Sequence, residues 1–205
     1  KYCAETINIA PVPEVYLKRD QALGVRNANV HPQGIVAGAD VVQNTDARQL
    51  AFRIAKLLGA MRSEHYLGSV GWPTEVLKMF FMAAMHVTNP NLGIHQQLGE
   101  QGMTIAGEIQ NMPSQMQMQM RKHVSQYLET GKNPNLSAWL RHVEHTTNRI
   151  ALLVCGDLQT ATSFIKNDRS PISKASVKER IRELILFVIS DDYTKLRERL
   201  GLAIG

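Results

Sequence analysis

The sequence predicts an α+β fold, mostly α: a small antiparallel sheet near the N-terminus, then a helical body. Two observations carry this. Strand-like segments, with β-branched and aromatic residues in alternation or a short apolar run, occur only before residue 43. From about residue 46 onward, apolar residues recur at three- and four-residue spacings, between Pro, Gly, Ser and Asp residues of the kind that start and stop helices. A length of 205 residues suits one domain over 1–205, with strands about 13–42 and the helical body about 45–205. Folding at that size removes roughly 70% of the unfolded chain's surface from water, so a core forms without metal or disulfide staples. The hydrophobic fraction of 44% and charged fraction of 20% are ordinary for a globular chain.

In chain order, residues 1–10 read as a short helix or arm. Pro11 and Pro13 then force an extended path. Glu14 to Lys18 (EVYLK) alternates and reads as a strand. Residues 19–33 are polar, with Gly24, Asn27, Asn29 and Pro32 as turn signals. Residues 34–42 are apolar and contain the second strand. Asn44, Thr45 and Asp46 supply side-chain oxygens for a helix start. That helix places Leu50, Ile54, Leu57, Leu58 and Met61 on one face, and Gln49, Arg53, Lys56, Ala60 and Ser63 on another.

Pro73 opens the next helix in its first turn, and this helix runs to about Val87. Residues 89–107 are Gly-rich and weakly periodic, a loop with a short helix. Pro113 and Ser114 start a helix that Gly131 stops. Helices follow over about 138–154, 157–167, 176–189 and 191–200, with 169–175 as a linker. Met116, Met120, Val124 and Leu128 share a face, so the Met-rich run reads as a core or partner-facing stripe rather than a soft-metal site.

The net charge of +5 is scattered, since 121–123 and 178–182 are broken by apolar residues or carboxylates. With no RNA-binding sheet signature or zinc-finger spacing, nothing indicates a nucleic-acid partner. No window approaches the roughly 20 apolar residues of a membrane span. Cys3 and Cys155 read as free thiols in a reducing compartment, which points to the cytoplasm. The chain opens on Lys1 without a signal peptide, and reads as a piece of something longer. No G-x-G-x-x-G, Walker A, G-x-S-x-G or CxxC motif occurs.

The order of a strand, an apolar run, QNTDARQLAFRIAKLLGAMR and a later EHTTNRIALLVCGD resembles the zinc metallopeptidases of the HtpX and CAAX prenyl endopeptidase group. The resemblance spans about Pro13 to Ile165 and rests on order, spacing and flanking residues. It implies that HExxH falls on Lys56, Leu57, Leu58, Gly59 and Ala60. Lys56 and Ala60 then replace the two zinc-binding histidines, and Leu57 replaces the general-base glutamate. ExxAD falls on Glu144 to Asn148: Glu144 survives as the third ligand, and the Ala-Asp pair becomes Thr147-Asn148. HExxH works because two imidazoles one turn apart hold Zn²⁺ while the glutamate activates water. A lysine ammonium, a methyl group and an isobutyl group do neither. The resemblance thus implies a pseudoenzyme without cofactor, acting as an interaction or structural domain, with a vestigial site at Lys56, Leu57, Ala60, Glu144 and Asn148.

Two fates for Lys56 follow. Its ammonium pairs with Glu144 in place of the metal, or it snorkels to water along the Gln49 and Arg53 stripe, a route the stripe marginally favours. Glu144 shares its arc with Leu140, Val143, Thr147 and Ala151, which faces inward. In active relatives a substrate lies extended beside the metal helix. The corresponding peptide-binding edge is Gly34, Ile35, Val36 and Ala37, and the implied partner is a protein or peptide, other domains of a longer chain included. Two alternatives stay open. One is a metal-dependent hydrolase with a displaced site at His142, Glu144 and His145, joined by His86 or His95, although ordinary hydrogen-bonding histidines are the plainer reading. The other is a helical scaffold unrelated to peptidases.

Overall fold

A computed structural model describes residues 1–202 apart from Asn29, His31, Asn44, Thr45 and Arg169, with the side chains of Val42 and Gln43 also left undescribed. The chain forms two compact units. One comprises Lys1–Gly71 and the chain from Trp139 onward; the other comprises Trp72–Ala138. Mostly helical, with one small sheet, the fold is of the α+β class the sequence predicts.

The first unit opens with helix α1 (Tyr2–Thr6) and three strands, β1 (Glu14–Lys18), β2 (Val25–Asn27) and β3 (Gly34–Gly38). Their order is β1-β3-β2. β3 pairs antiparallel with β2, Val36 opposite Arg26, and parallel with β1, Val36 opposite Tyr16. The sheet is therefore mixed, and the expectation of an antiparallel sheet holds for one pair only. The cause is β2. It is three residues long and sits inside the polar 19–33 stretch, too short to show a period, and it takes the antiparallel place beside β3. β1, on the other side, is left to run parallel.

The apolar run after Gln33 stays a strand only as far as Gly38 and then turns into helix α2 (Ala39–Gln43), so the second strand is shorter than 34–42 suggested. Two glycines allow this path. A Cβ on Gly34 would meet the Tyr16 ring at 2.7 Å. One on Gly38 would run into the Leu23 backbone nitrogen and lie 2.8 Å from the Gln21 carbonyl oxygen.

Helix α3 (Ala47–Ala60) follows, with Asp46 as its N-cap accepting from the Arg48 N–H at 3.0 Å. Asn44 and Thr45, the other expected cap residues, lie outside the described residues. The buried face of α3 is Phe52, Ala55, Lys56, Leu58, Gly59 and Ala60. Leu50, Ile54 and Leu57, expected on the core face, are only partly covered. Helix α4 (Tyr66–Ser69) ends this part of the unit.

The second unit holds α5 (Thr74–Thr88), a 3₁₀ turn (Pro90–Leu92), α6 (His95–Gln110) and α7 (Ser114–Glu129). Pro73 is the N-cap of α5 rather than part of its first turn. Residues 89–107, expected as a loop with a short helix, are mostly the longer α6. Gly99 (φ 60°, ψ −174°) kinks this helix, and the break in phase explains the weak periodicity. The core is Met82, Ala83, Val87, Leu98 and Ala106. Met120 packs against it, whereas Met116 and Met118 are exposed, so the methionine stripe is core only from Met120 onward.

The chain continues with α8 (Leu136–Cys155), α9 (Leu158–Asn167), α10 (Val177–Val188) and α11 (Asp191–Arg199). Asp157 caps α9 through the Thr160 N–H, and Ser176 caps α10 through the Glu179 N–H. Phe52, Leu58, Leu152, Ile165 and Leu184 form the centre of the first unit's core, with Phe52 and Phe164 rings 5.0 Å apart. Among the described residues no helix is long and apolar enough to cross a membrane.

The crowding at Gly38 is backbone against backbone and cannot relax by a rotamer change. Gly38→Ala is expected to lower unfolding free energy by about 1–3 kcal/mol, measured by urea titration.

Candidate functional site: a buried ion cluster

Four charged side chains from different parts of the first unit meet in its interior. Lys56 comes from α3, Glu144 from α8, Asp168 from the segment after α9, and Arg180 from α10. Glu144 is fully buried, Arg180 is 2% exposed and Lys56 is 9% exposed. An isolated charge at such depth is very unfavourable, so the group persists only if it is neutral as a whole and hydrogen-bonded. Two cations and two carboxylates meet the first condition.

The geometry meets most of the second. Lys56 Nζ donates to Glu144 Oε1 and to Asp168 Oδ2, each at 2.9 Å. Arg180 donates to Asp168 Oδ2 at 3.0 Å and lies 3.6 Å from Glu144 Oε1. The other Glu144 oxygen, Oε2, accepts from the backbone N–H groups of Ile172 and Ser173, the latter at 3.1 Å. Asn148 Nδ2 adds a bond to Oε1 at 3.3 Å. Asn148 Oδ1 and Arg180 Nε are buried without a hydrogen-bond partner among the described residues.

Burial alone would raise the Asp168 carboxyl. The charge and hydrogen bond of Lys56, the Ser170 N–H and the charge of Arg180 outweigh that effect and hold it below the usual carboxylate range.

Local sequence explains the placement. Lys56 lies on the same helix face as Phe52 and Ala60, and both neighbours are buried. Where α3 meets α8 there is no room for a larger residue at Gly59, since a Cβ there would lie 3.0 Å from Ile150 Cδ1. Leu140, Val143, Thr147 and Ala151 are all buried, so the arc of Glu144 faces inward as its spacing predicts. The lysine does not take the solvent route along Gln49 and Arg53. It crosses to Glu144 and passes 5.5 Å from the centre of the Phe164 ring.

The other sequence-predicted residues divide. Ala60 and Asn148 are buried and Leu57 is half-buried, with no ligand or proton-accepting atom at 57 or 60. Zinc of the metallopeptidase kind does not fit this set. Lys56, which the resemblance sets at the first ligand position, is a cation, and both Glu144 oxygens already accept hydrogen bonds. The displaced site is corrected too. Among the described residues no three His, Cys, Asp or Glu side chains are grouped to hold a metal. Glu144 points inward, His142 is exposed, and His145 Nε2 faces Glu179 at 3.6 Å, because these positions sample different arcs of one helix. The His86 and His95 rings pack edge to face, 5.5 Å apart, in the other unit.

Gly34, Ile35, Val36 and Ala37 do not form an edge. β3 is the central strand, and its backbone is committed to β1 on one side and β2 on the other.

Sequence reasoning missed Asp168, Ser173 and Arg180. Asp168 and Ser173 fall at or within a stretch read as a linker. Arg180 did leave a signal: with Leu184 and Phe187 it forms an i, i+4, i+7 series, which puts an arginine on the buried stripe of α10. The chain matches no known family model, no curated protein and no solved structure.

Removing the Lys56 charge strands Glu144 and Asp168 against a single arginine. Lys56→Met is expected to destabilise the fold by about 3–5 kcal/mol, read from denaturant midpoints. The depressed Asp168 carboxyl contributes stability that is fully present above its unfolded pKa of about 4. That contribution is lost as pH falls through the lower folded value. Unfolding free energy of the parent chain should therefore fall more steeply below about pH 4 than that of Asp168→Asn, in parallel melts across the acid range.

Proposed function

We propose that this chain is a non-catalytic interaction or structural domain of metallopeptidase-like ancestry, in which the Lys56 ammonium stands in for the lost zinc. The observation that carries this reading is the buried contact of Lys56 Nζ with Glu144 Oε1 at 2.9 Å. Glu144 is the position that the resemblance equates with the third zinc ligand, and Lys56 the position it equates with the first. The reading is supported in part by the order of strand β3 and the long helix α3 around residues 36–55, with helix α2 standing where the resemblance has a short turn.

Hydrolysis by the metallopeptidase route needs a metal-activated water and a carboxylate base beside it. Leu57, Ala60 and a paired lysine supply neither. The cluster is suited instead to fixing architecture. One lysine ties α3 to α8 and to the segment after α9, and one arginine ties α10 to the same carboxylates. What remains for function is surface: a scaffold that presents its edges and helix faces to a protein or peptide, other domains of a longer chain included. Two buried thiols without a disulfide, Cys3 and Cys155, support a reducing, cytoplasmic setting.

An unrelated helical scaffold would carry the same ion cluster but would have no reason to hold a metal once imidazoles are put back. Lys56→His/Ala60→His places two imidazoles one turn apart opposite Glu144. Titrated with zinc, this variant is expected to bind about one equivalent, while the parent chain binds none and hydrolyses no peptide. A folded variant that takes up no zinc contradicts the ancestry. One equivalent of zinc on the parent chain, with peptide hydrolysis, contradicts the loss of activity.

A further inference from the structure

We propose that β1 is a dimer interface, pairing antiparallel with β1 of a second copy of this chain about a two-fold axis through Tyr16. Among the described residues β1 is an edge strand whose one neighbour is β3, so one row of its backbone N–H and C=O groups has no strand beside it. All five of its residues are exposed, and three are large and apolar: Val15 at 57%, Tyr16 at 46% and Leu17 at 54%. Exposed apolar edges are templates for strand pairing; charge and proline blunt this one only at its ends, at Pro13, Glu14 and Lys18, and leave Val15, Tyr16 and Leu17 apolar between them.

The occupant is read from the strand's own sequence. In an antiparallel pair centred on Tyr16, Glu14 faces Lys18 of the other copy and Lys18 faces its Glu14. Val15 faces Leu17, and Tyr16 faces Tyr16. Side chains alternate along a strand, so Glu14, Tyr16 and Lys18 share one face, and Val15 and Leu17 share the other. Charge therefore meets opposite charge on the first face, and apolar meets apolar on the second.

A two-fold interface requires a patch complementary to itself, and EVYLK is that in this register alone. A shift of one residue would set Glu14 against Arg19, but it would also set Val15 against Lys18 and bring opposite faces of the two strands together. The Tyr16 hydroxyl donates to Glu14 Oε2 at 2.7 Å, which holds that carboxylate on the face where the opposite lysine would arrive.

This inference rests on the reading of the chain as an interaction domain and gives it a partner. Its residues lie outside the ion cluster, so the two proposals fail separately. Five-residue strands bury an area at the low end for specific association, which places the dimer in the micromolar range, about 1–100 μM.

Sedimentation velocity from about 1 to 500 μM should show the 22.9 kDa chain moving to twice that mass. Glu14→Lys and Lys18→Glu each set like charges opposite one another and should weaken association about tenfold or more. The double swap, Glu14→Lys/Lys18→Glu, restores both pairs and should recover the parent affinity to within about threefold. The two single variants, each weakened alone, should associate more tightly when mixed than either does by itself. A chain that stays monomeric throughout overturns the proposal, as does a dimer indifferent to the single changes, or a double swap or mixture that recovers nothing. Far-UV circular dichroism confirms that each variant is folded before it is scored.

Discussion

A carboxylate with no access to water is the constraint on which the first unit is built. Glu144 is fully buried on the longest helix, and nothing in its own helix neutralises it. Its charge has to be met from elsewhere in the chain. Lys56 arrives from 88 residues earlier in sequence, and the backbone of Ile172 and Ser173 arrives from 28 and 29 residues later. Each of these contacts fixes the position of a separate segment, so one buried charge dictates how α3, α8 and the stretch before α10 come together.

Such a cluster need not add net stability, because a well-packed apolar replacement often does as well or better. Its consequence is specificity. Alternative packings of the same helices would leave a carboxylate or an ammonium unpaired in the interior, at a large penalty. The second carboxylate, Asp168, lets Lys56 serve two acceptors and lets Arg180 join without an excess of positive charge. In an active metallopeptidase a divalent cation would supply this organising charge from outside the chain. Here two side chains, Lys56 and Arg180, supply the positive charge.

Much of this was legible in the sequence, and the parts that were not share a cause. Glu144 could be placed in the interior because its helical neighbours Leu140, Val143, Thr147 and Ala151 define a clear arc. Lys56 was ambiguous, because a long cationic side chain can leave a buried stripe in either direction. Phe52 and Ala55, which set the buried face of α3, fall between the two stripes the spacing suggested. Asp168 was invisible because no period marks an irregular segment. The sheet was misjudged through β2, three residues among turn formers, and with it the strand that carries the free edge. α6 is longer than the short helix expected there because Gly99 shifts its phase in mid-helix. Local pattern speaks to burial along one element, while partners across a hundred residues are set by tertiary geometry.

The central claim is that an ammonium, not a metal, neutralises Glu144. An anomalous-scattering map at the zinc edge, from crystals grown in millimolar zinc, tests it most directly. The account predicts Lys56 Nζ within hydrogen-bond distance of Glu144 and Asp168 and no anomalous peak between α3 and α8. A zinc peak beside Glu144, with Lys56 turned out to solvent, would contradict it.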